Sequence, residues 1–154
     1  MIVRRASHSD HAVVTNLFDE YFDAIALPRE LRDDTQAVAV YLDTPRAIFL
    51  AYDGALPAGV IALRPLEPQP TGALGPSCEV KRLYVRPSCR RSGVAGALLD
   101  ALETYARSIG FREAYLDTRA DMTAAFAFYL QRGYVVCERY NDNPVAAHFL
   151  RLPL

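Results

Sequence analysis

The chain has 154 residues, 51% of them hydrophobic and 23% charged, and its formal net charge is −1. These values predict one globular domain over residues 1–154 and exclude a disordered charged tail or a nucleic-acid binder that relies on overall positive charge. No apolar run approaches the ~20 residues of a membrane span, and the polar residues soon after Met1 predict no signal peptide. The three cysteines are far apart, so we expect free thiols, no metal site and a cytoplasmic protein.

The basic residues are unevenly distributed along this near-neutral chain. Five of them fall within residues 81–91, and no acidic residue occurs from 80 to 99. The five are Lys81, Arg82, Arg86, Arg90 and Arg91. This local concentration of positive charge is the first indication of an anionic ligand.

The first third of the chain predicts a strand followed by two helices. Residues 2–5 form the strand candidate, and Ser7 with Asp10 three residues later has the pattern of a helix N-cap. Pro28 begins a second, less regular helix that extends to about residue 41. The apolar stripe of the first helix has helical spacing and comprises Val14, Leu17, Phe18, Tyr21, Phe22 and Ile25.

Three strands and a loop are predicted in the middle of the chain. Residues 47–52 and 58–66 are apolar runs on either side of an Asp-Gly turn signal, which predicts a hairpin. Residues 67–76 carry three prolines and two glycines and are predicted to form a loop. Residues 79–85 then alternate in polarity as the next strand.

The last part of the chain alternates helices and strands. Helices are expected at 93–109 and 122–131, and strands at 114–117, 134–137 and 147–152. The predicted buried stripe of the first of these helices comprises Val94, Leu98, Ala101, Leu102, Tyr105 and Ile109, and that of the second Met122, Ala125, Phe126, Tyr129 and Leu130. The element order β-α-α-β-β-β-α-β-α-β-β predicts a mixed α/β sheet with helices on its faces.

The most informative segment is residues 86–96, which join a strand to the long helix. Backbone N–H groups at a helix start point outward and the helix dipole adds partial positive charge, an arrangement that binds phosphate. Gly93 permits close backbone approach, Ala95 and the glycine after it keep the first turn free of bulk, and Arg90 and Arg91 add charge. The segment is neither a Walker loop nor a dinucleotide fingerprint. By themselves these residues therefore predict only an anion at a helix N-terminus.

Two motifs resemble the GNAT superfamily of N-acetyltransferases. Arg90-x-x-Gly93-x-Ala95 is similar to the Arg/Gln-x-x-Gly-x-Gly/Ala motif that holds the pyrophosphate of acetyl-coenzyme A in that family. The run Ala125-x-x-x-Tyr129-x-x-x-Gly-Tyr resembles the family's Ala-x-x-x-Tyr-x-x-x-Gly-Phe segment, and CEVKRLYVRP and YNDNP resemble an uncharacterised bacterial subgroup. The resemblance implies a single-domain GNAT fold with a mixed, mostly antiparallel sheet of six to seven strands and helices on both faces.

The resemblance also implies acetyl-coenzyme A as co-substrate and roles for named residues. Glu79 would be the general base, Tyr129 the general acid that protonates the leaving thiolate, and the N–H of Val85 the group that polarises the thioester oxygen. The acceptor would be a primary amine of a small molecule or peptide that attacks the thioester directly. The implied coenzyme-binding residues are Leu83, Tyr84, Val85, Arg90, Arg91, Ser92, Gly93, Val94, Ala95, Gly96 and Phe126.

One position departs from the family pattern, and several residues have simpler interpretations. Many family members carry Asn where this chain has Met122, whose thioether cannot donate a hydrogen bond to the coenzyme. Glu79 also fits an ordinary strand carboxylate paired with Lys81 or an arginine, and Tyr129 fits a core aromatic. Residues 141–143 fit a turn first and a substrate-facing loop second.

Two other classes of function are compatible with these motifs to different degrees. A catalytically weak GNAT-like module could bind acyl-coenzyme A as a sensor or bind a partner protein. A nucleic-acid binder that uses the basic loop is disfavoured by the net charge of −1 and by the single lysine. The sequence identifies neither the acceptor amine nor the oligomeric state, and a homodimer is a reasonable expectation.

Overall fold

The computed structural model describes residues 1–32 and 35–154. The helices are α1 (His11–Ala24), α2 (Thr35–Tyr41), α3 (Val94–Ser108) and α4 (Thr123–Gln131). The strands are β1 (Ile2–Arg5), β2 (Ala47–Asp53), β3 (Leu56–Pro65), β4 (Ser77–Val85), β5 (Glu113–Arg119), β6 (Val135–Val136) and β7 (Ala146–Pro153). The predicted order of helices and strands is confirmed.

Within the described ranges the strands form a seven-stranded mixed sheet in the order β1-β2-β3-β4-β5-β7-β6. The pairs β1–β2, β2–β3, β5–β7 and β6–β7 are antiparallel, whereas β4 and β5 are parallel. The parallel register places Glu79 opposite Tyr115. The predicted α/β class with a mixed, mostly antiparallel sheet is therefore confirmed.

Backbone contacts group the chain into two compact units. The first unit comprises Met1–Arg64 and Val80–Tyr105, and the second comprises Pro65–Glu79 and Ala106–Leu154. No helix in the described part of the chain is both long and apolar enough to cross a membrane.

The first unit is built around α1, whose start is fixed by an acidic cap. The N–H of Ser7 donates to the carboxylate of Asp10 at 2.8 Å, and the guanidinium of Arg4 donates to both carboxylate oxygens at 2.7 and 2.9 Å. The hydrogen bond from Arg4 holds the pKa of Asp10 well below its ordinary range. The predicted capping box is confirmed, although Ser7 begins a 3-10 turn and α1 follows at His11. The buried stripe of α1 comprises Val14, Leu17, Phe18 and Phe22, with Tyr21 and Ile25 partly buried.

The second unit contains a buried carboxylate, that of Glu113, both of whose oxygens accept hydrogen bonds. Glu113 accepts hydrogen bonds from the Tyr115 hydroxyl at 2.8 Å, from Arg151 at 3.1 Å and from the N–H of Leu74 at 3.2 Å. Burial, and then the hydrogen bond to Glu113, raises the pKa of Tyr115 to about 12. Glu113 thereby fastens the loop at 67–76 to the sheet.

Three local predictions are corrected by the structure. The helix predicted from Pro28 to residue 41 is a 3-10 turn at Arg29–Leu31 and the separate helix α2, and residues 33–34 of that prediction lie outside the described residues. The strand predicted at 134–137 is the two-residue β6. Ile109 and Leu130 are 37% and 43% exposed rather than buried, since α3 ends at Ser108 and Tyr129 occupies the buried face of the short α4.

Candidate active site

The loop between β4 and α3 is folded by its own backbone and short side chains. Pro87–Cys89 form a 3-10 turn, and Arg91 and Gly93 then adopt positive φ angles of 62° and 83°. The Ser92 hydroxyl donates to the carbonyl of Cys89 at 2.6 Å, and Nε of Arg90 donates to the carbonyl of Val85 at 3.1 Å. These bonds fix the direction in which the chain enters α3.

Gly93 leaves open space in front of the α3 N-terminus. A Cβ atom built on Gly93 meets no atom within 4 Å, and the first N–H groups of a helix have no partner within the helix. Arg90 and Arg91 are exposed beside this opening, and a guanidinium has five N–H donors. The helix N-terminus can therefore accept an anion that approaches the backbone closely.

Two of the five basic residues in the predicted patch make contacts within the first unit. The guanidinium of Arg86 donates to both carboxylate oxygens of Glu20 at 2.7 and 3.0 Å and to the carbonyl of Pro57 at 2.8 Å. The guanidinium of Arg82 lies 4.6 Å from the ring centre of Phe18, and burial lowers the pKa of Arg82 to about 10. Arg82 and Arg86 thus belong to the packing of the first unit.

The pair formed by Arg86 and Glu20 anchors the loop to α1. Besides its side-chain bonds, Arg86 donates its backbone N–H to the carbonyl of Ala58 at 2.9 Å. The hydrogen bond from Arg86 lowers the pKa of Glu20 and the same bond raises the pKa of Arg86. This anchor was missed in the sequence because Glu20 lies 66 residues before Arg86.

The predicted coenzyme-binding residues at the end of β4 and the start of α3 differ in how deeply their side chains are buried. The side chain of Tyr84 belongs to the core cluster, with its ring 6.5 Å from that of Tyr21, and burial raises its pKa. Leu83 and Val85 are half-buried. At the start of α3, Val94 is buried while Ala95 and Gly96 are half-buried. A ligand along this strand would therefore meet the backbone of Tyr84 rather than its side chain.

Gly59 on β3 is a further residue on which this region depends. A Cβ atom at Gly59 would lie 2.6 Å from the carbonyl oxygen of Tyr84, 3.2 Å from Leu98 and 3.3 Å from Val94. The absence of a side chain lets β4 and α3 approach β3. The sequence carried the signal, since a glycine inside a strand often marks a close approach.

We expect Gly59→Ala to destabilise the protein by about 1–3 kcal/mol, the usual cost of overpacking. The nearest atom is a backbone oxygen, so the strand itself must move to admit the methyl group. The free energy of unfolding, measured with denaturant, tests this expectation. Unchanged stability would contradict the close contact.

Glu79 is the central polar residue of the second unit. It is fully buried on β4. The Nδ2 group of Asn141 donates to Oε2 of Glu79 at 3.3 Å and to Oδ2 of Asp117 at 2.7 Å. The Tyr140 hydroxyl oxygen is buried, and its pKa is raised first by burial and then by the negative charges of Glu79 and Asp117. Two carboxylates and their potential donors are therefore brought together here.

The segment Asn141-Asp142-Asn143 forms the predicted turn. The N–H of Asn143 donates to Oδ1 of Asn141 at 3.0 Å, and the N–H of Val145 donates to Oδ1 of Asn143 at 3.3 Å. Arg139 donates to the backbone carbonyls of Asn141, Asn143 and Ala146 at 3.0–3.4 Å. The contact of this turn with Glu79, 62 residues earlier, was not foreseen.

Tyr129 and Phe126 lie on α4 of the second unit. Tyr129 is 6% exposed, with its ring 5.5 Å from that of Tyr134 in an edge-to-face arrangement. Phe126 is half-buried and stacks on His148 with the ring centres 4.3 Å apart. Phe126 is thus packed by an aromatic neighbour and retains exposed surface.

Met122 occupies the N-cap position of α4. It has φ −88° and ψ 53°, and its side chain makes no capping hydrogen bond. Its carbonyl accepts the N–H of Phe126 at 3.0 Å, which is the first bond of the helix. A residue with a short polar side chain would satisfy an additional N–H at this position.

We expect Met122→Asn to be more stable than Met122→Ala by about 1 kcal/mol, because both variants lose the thioether and only asparagine caps the helix. Thermal or denaturant unfolding of the two variants measures the difference. Equal stability would show that the backbone at residue 122 does not direct an Asn side chain toward the helix.

In the part of the chain that the structure describes, the histidines near the start of α1 do not belong to a cluster of metal ligands. His8, one of the two histidines near the start of α1, lies 2.9 Å from the carboxylate of Asp43. Among residues 1–32 and 35–154 there is no group of three or more His, Cys, Asp and Glu side chains arranged to hold a metal ion.

Comparison with known proteins gives a family and a fold. Residues 12–134 match the family described as "Acetyltransferase (GNAT) family". An uncharacterised N-acetyltransferase of Schizosaccharomyces pombe is 35% identical over 72 residues, which are 46% of this chain and 44% of that relative. The chain thus matches less than half of the relative's length.

Two solved structures have the same fold over nearly the whole chain. A ribosomal-protein-alanine N-acetyltransferase from Brucella melitensis superimposes with a TM-score of 0.79, 19% identity and coverage of 100% of both chains. The structure of yncA from Salmonella typhimurium with its cofactor acetyl-CoA has a TM-score of 0.78 and 16% identity, covering 99% of this chain and 93% of its own. At these identities the likeness establishes the fold.

Proposed function

Because the chain belongs to the acetyltransferase (GNAT) family, we propose that it transfers an acetyl group from acetyl-coenzyme A to a primary amine of a small molecule or peptide. The observation that carries the proposal is the α3 N-terminus, where Gly93 has a positive φ and open space in front of it. The Salmonella typhimurium relative of the same fold was solved with acetyl-CoA, and the Brucella melitensis relative acts on an alanine of a ribosomal protein.

The end of β4 and the start of α3 carry the groups that would hold the coenzyme. The backbone N–H groups from Gly93 to Gly96 and the side chains of Arg90 and Arg91 would bind the pyrophosphate. Backbone groups of residues 83–85 would bind the pantetheine arm, with the N–H of Val85 polarising the thioester oxygen. Ser92 and Val94 complete the proposed coenzyme-binding segment. The coenzyme supplies the acetyl group in activated, thioester form.

Two residues are the proposed proton carriers. Glu79 would take the proton that the amine loses, and Tyr129 would donate a proton to the thiolate as it leaves. A thiol of this kind has a pKa near that of cysteine, about 8.5, so protonation at neutral pH assists its departure. Phe126, beside His148, would contact the coenzyme through its exposed part.

The direct test is release of coenzyme A from acetyl-coenzyme A over a broad panel of amines. We expect thiol release that depends on one class of amine, together with acetylated product in equal amount. Equilibrium binding of acetyl-coenzyme A is measured in parallel. Tight binding without amine-dependent release would overturn the enzyme proposal in favour of a sensor or partner-binding module.

A further inference from the structure

The side-chain amide of Asn141 is oriented by every contact that it makes. Its Oδ1 accepts the N–H of Asn143, while its Nδ2 faces the carboxylates of Glu79 and Asp117. The reverse orientation would place Oδ1 against two carboxylates and Nδ2 against an N–H donor. The two N–H groups of Nδ2 therefore point at the acidic pair.

The turn alone does not require asparagine at position 141. An aspartate carboxylate accepts a backbone N–H two residues later just as an asparagine Oδ1 does. Only asparagine combines that acceptor with two donors. The donors of Asn141 are thus available for Glu79 and Asp117, and the turn serves to present them.

The loop that carries Asn141 is also held by contacts that do not involve the amide of Asn141. Arg139 binds the backbone carbonyls of Asn141, Asn143 and Ala146, and its guanidinium lies 4.6 Å from the ring centre of Phe149. These contacts hold the main chain at residue 141 in place. The side-chain amide of Asn141 is therefore kept in a defined position beside Glu79.

From this arrangement we propose that Asn141 is a positioning residue for the general base, holding the Glu79 carboxylate ionised and correctly oriented beside Asp117. The inference rests on the proposed function, in which Glu79 takes the proton from the amine. A hydrogen bond donated to a carboxylate favours its charged form. The amide group of Asn141 binds both carboxylates, and it therefore separates them and fixes their orientation.

The groups that face Glu79 set the sign of the expected pH effect. They include Asp117 from β5 and Tyr140 and Asn141 from the loop, and Tyr115 lies opposite Glu79 in the strand register. Cys137 lies near the Tyr140 hydroxyl, and on the same strand Lys81 follows two residues after Glu79. Asp117 disfavours the charged form of Glu79, and Asn141 opposes that effect.

The test compares Asn141→Asp with Asn143→Asp in the dependence of kcat/KM on pH, using one acceptor from the amine panel throughout. Asn141→Asp keeps the turn acceptor but loses both donors and adds a charge. It should move the acidic limb of the profile to higher pH by about one to two units. Asn143→Asp adds the same charge near Asp117, 3.4–3.5 Å from its carboxylate, without touching Glu79. It should move the limb by less than about half a unit.

The outcomes separate this inference from the proposed function. Glu79→Gln should show a defect that shrinks as pH rises, because more of the amine is then already neutral. If that defect is constant from pH 6 to pH 9, Glu79 is not the base and the positioning role of Asn141 fails with it, whereas amine-dependent thiol release decides the proposed acetyl transfer separately. If it shrinks while folded Asn141→Asp keeps the parental limb, or while both aspartate variants shift equally, only the positioning role is wrong.

A second variant covers the case in which Asn141→Asp does not fold. Asn141→Ala removes the donors, together with the Oδ1 that accepts the N–H of Asn143, and adds no charge to the half-buried site. Since Arg139 still holds the loop, the acidic limb should move to higher pH by about one unit. A limb that stays at the parental pH in folded Asn141→Ala overturns the proposal. Thermal unfolding of each variant establishes that it is folded.

Discussion

Replacement of Gly93 by glutamate is expected to weaken acetyl-coenzyme A binding by at least about 100-fold, which corresponds to the loss of one or two charge-assisted hydrogen bonds. The side chain would enter the open space before α3, and its negative charge would occupy the N–H groups proposed for the pyrophosphate. Isothermal titration calorimetry of the folded variant measures the affinity. Parental affinity would show that the anion binds elsewhere.

Gly93→Ala is the matched control for backbone strain. Any residue other than glycine must adopt φ +83° here, at a cost of about 1–2 kcal/mol. A methyl group meets no atom within 4 Å, so the alanine variant should lose stability but keep most of its affinity. If the alanine and glutamate variants bind equally weakly, strain in the loop explains the loss and charge does not.

The features that could be predicted from the sequence are those that local residues determine. The carboxylate of Asp10 accepts the N–H of Ser7, three residues earlier, and closes the capping box of the 3-10 turn that leads into α1. Gly110 and Gly133 stop helices at positive φ, which glycine adopts without steric cost. The opening before α3 follows in the same way from Gly93.

The features that the sequence does not predict depend on which helices, strands and turns lie next to one another in the fold. The sequence groups Arg86 with a positive patch, but α1 brings Glu20 to it from 66 residues away. Asn141 was interpreted from its neighbours as a turn residue, and the same side chain reaches Glu79 across 62 residues. Local sequence patterns predict the turn and the strand. They do not predict which residues of the turn and of the strand come into contact.

Tyr129→Phe is the substitution expected to affect the chemical step most. The rings of Phe128 and Tyr134 lie 5.4 and 5.5 Å from that of Tyr129, and phenylalanine retains both edge-to-face contacts. The change therefore removes one hydroxyl while keeping the ring. Acetyl-coenzyme A affinity should therefore change little.

The turnover number of Tyr129→Phe should fall by about 10²–10⁴-fold, the usual effect of losing a general acid. The defect should be larger with acetyl-coenzyme A than with an acyl donor whose leaving thiol has a lower pKa, because a better leaving group needs less protonation. Single-turnover experiments isolate acetyl transfer from product release. Parental single-turnover rates with both donors would show that Tyr129 contributes packing alone. A loss that is the same for both donors would place its hydroxyl in positioning the coenzyme, and not in proton transfer to the thiolate.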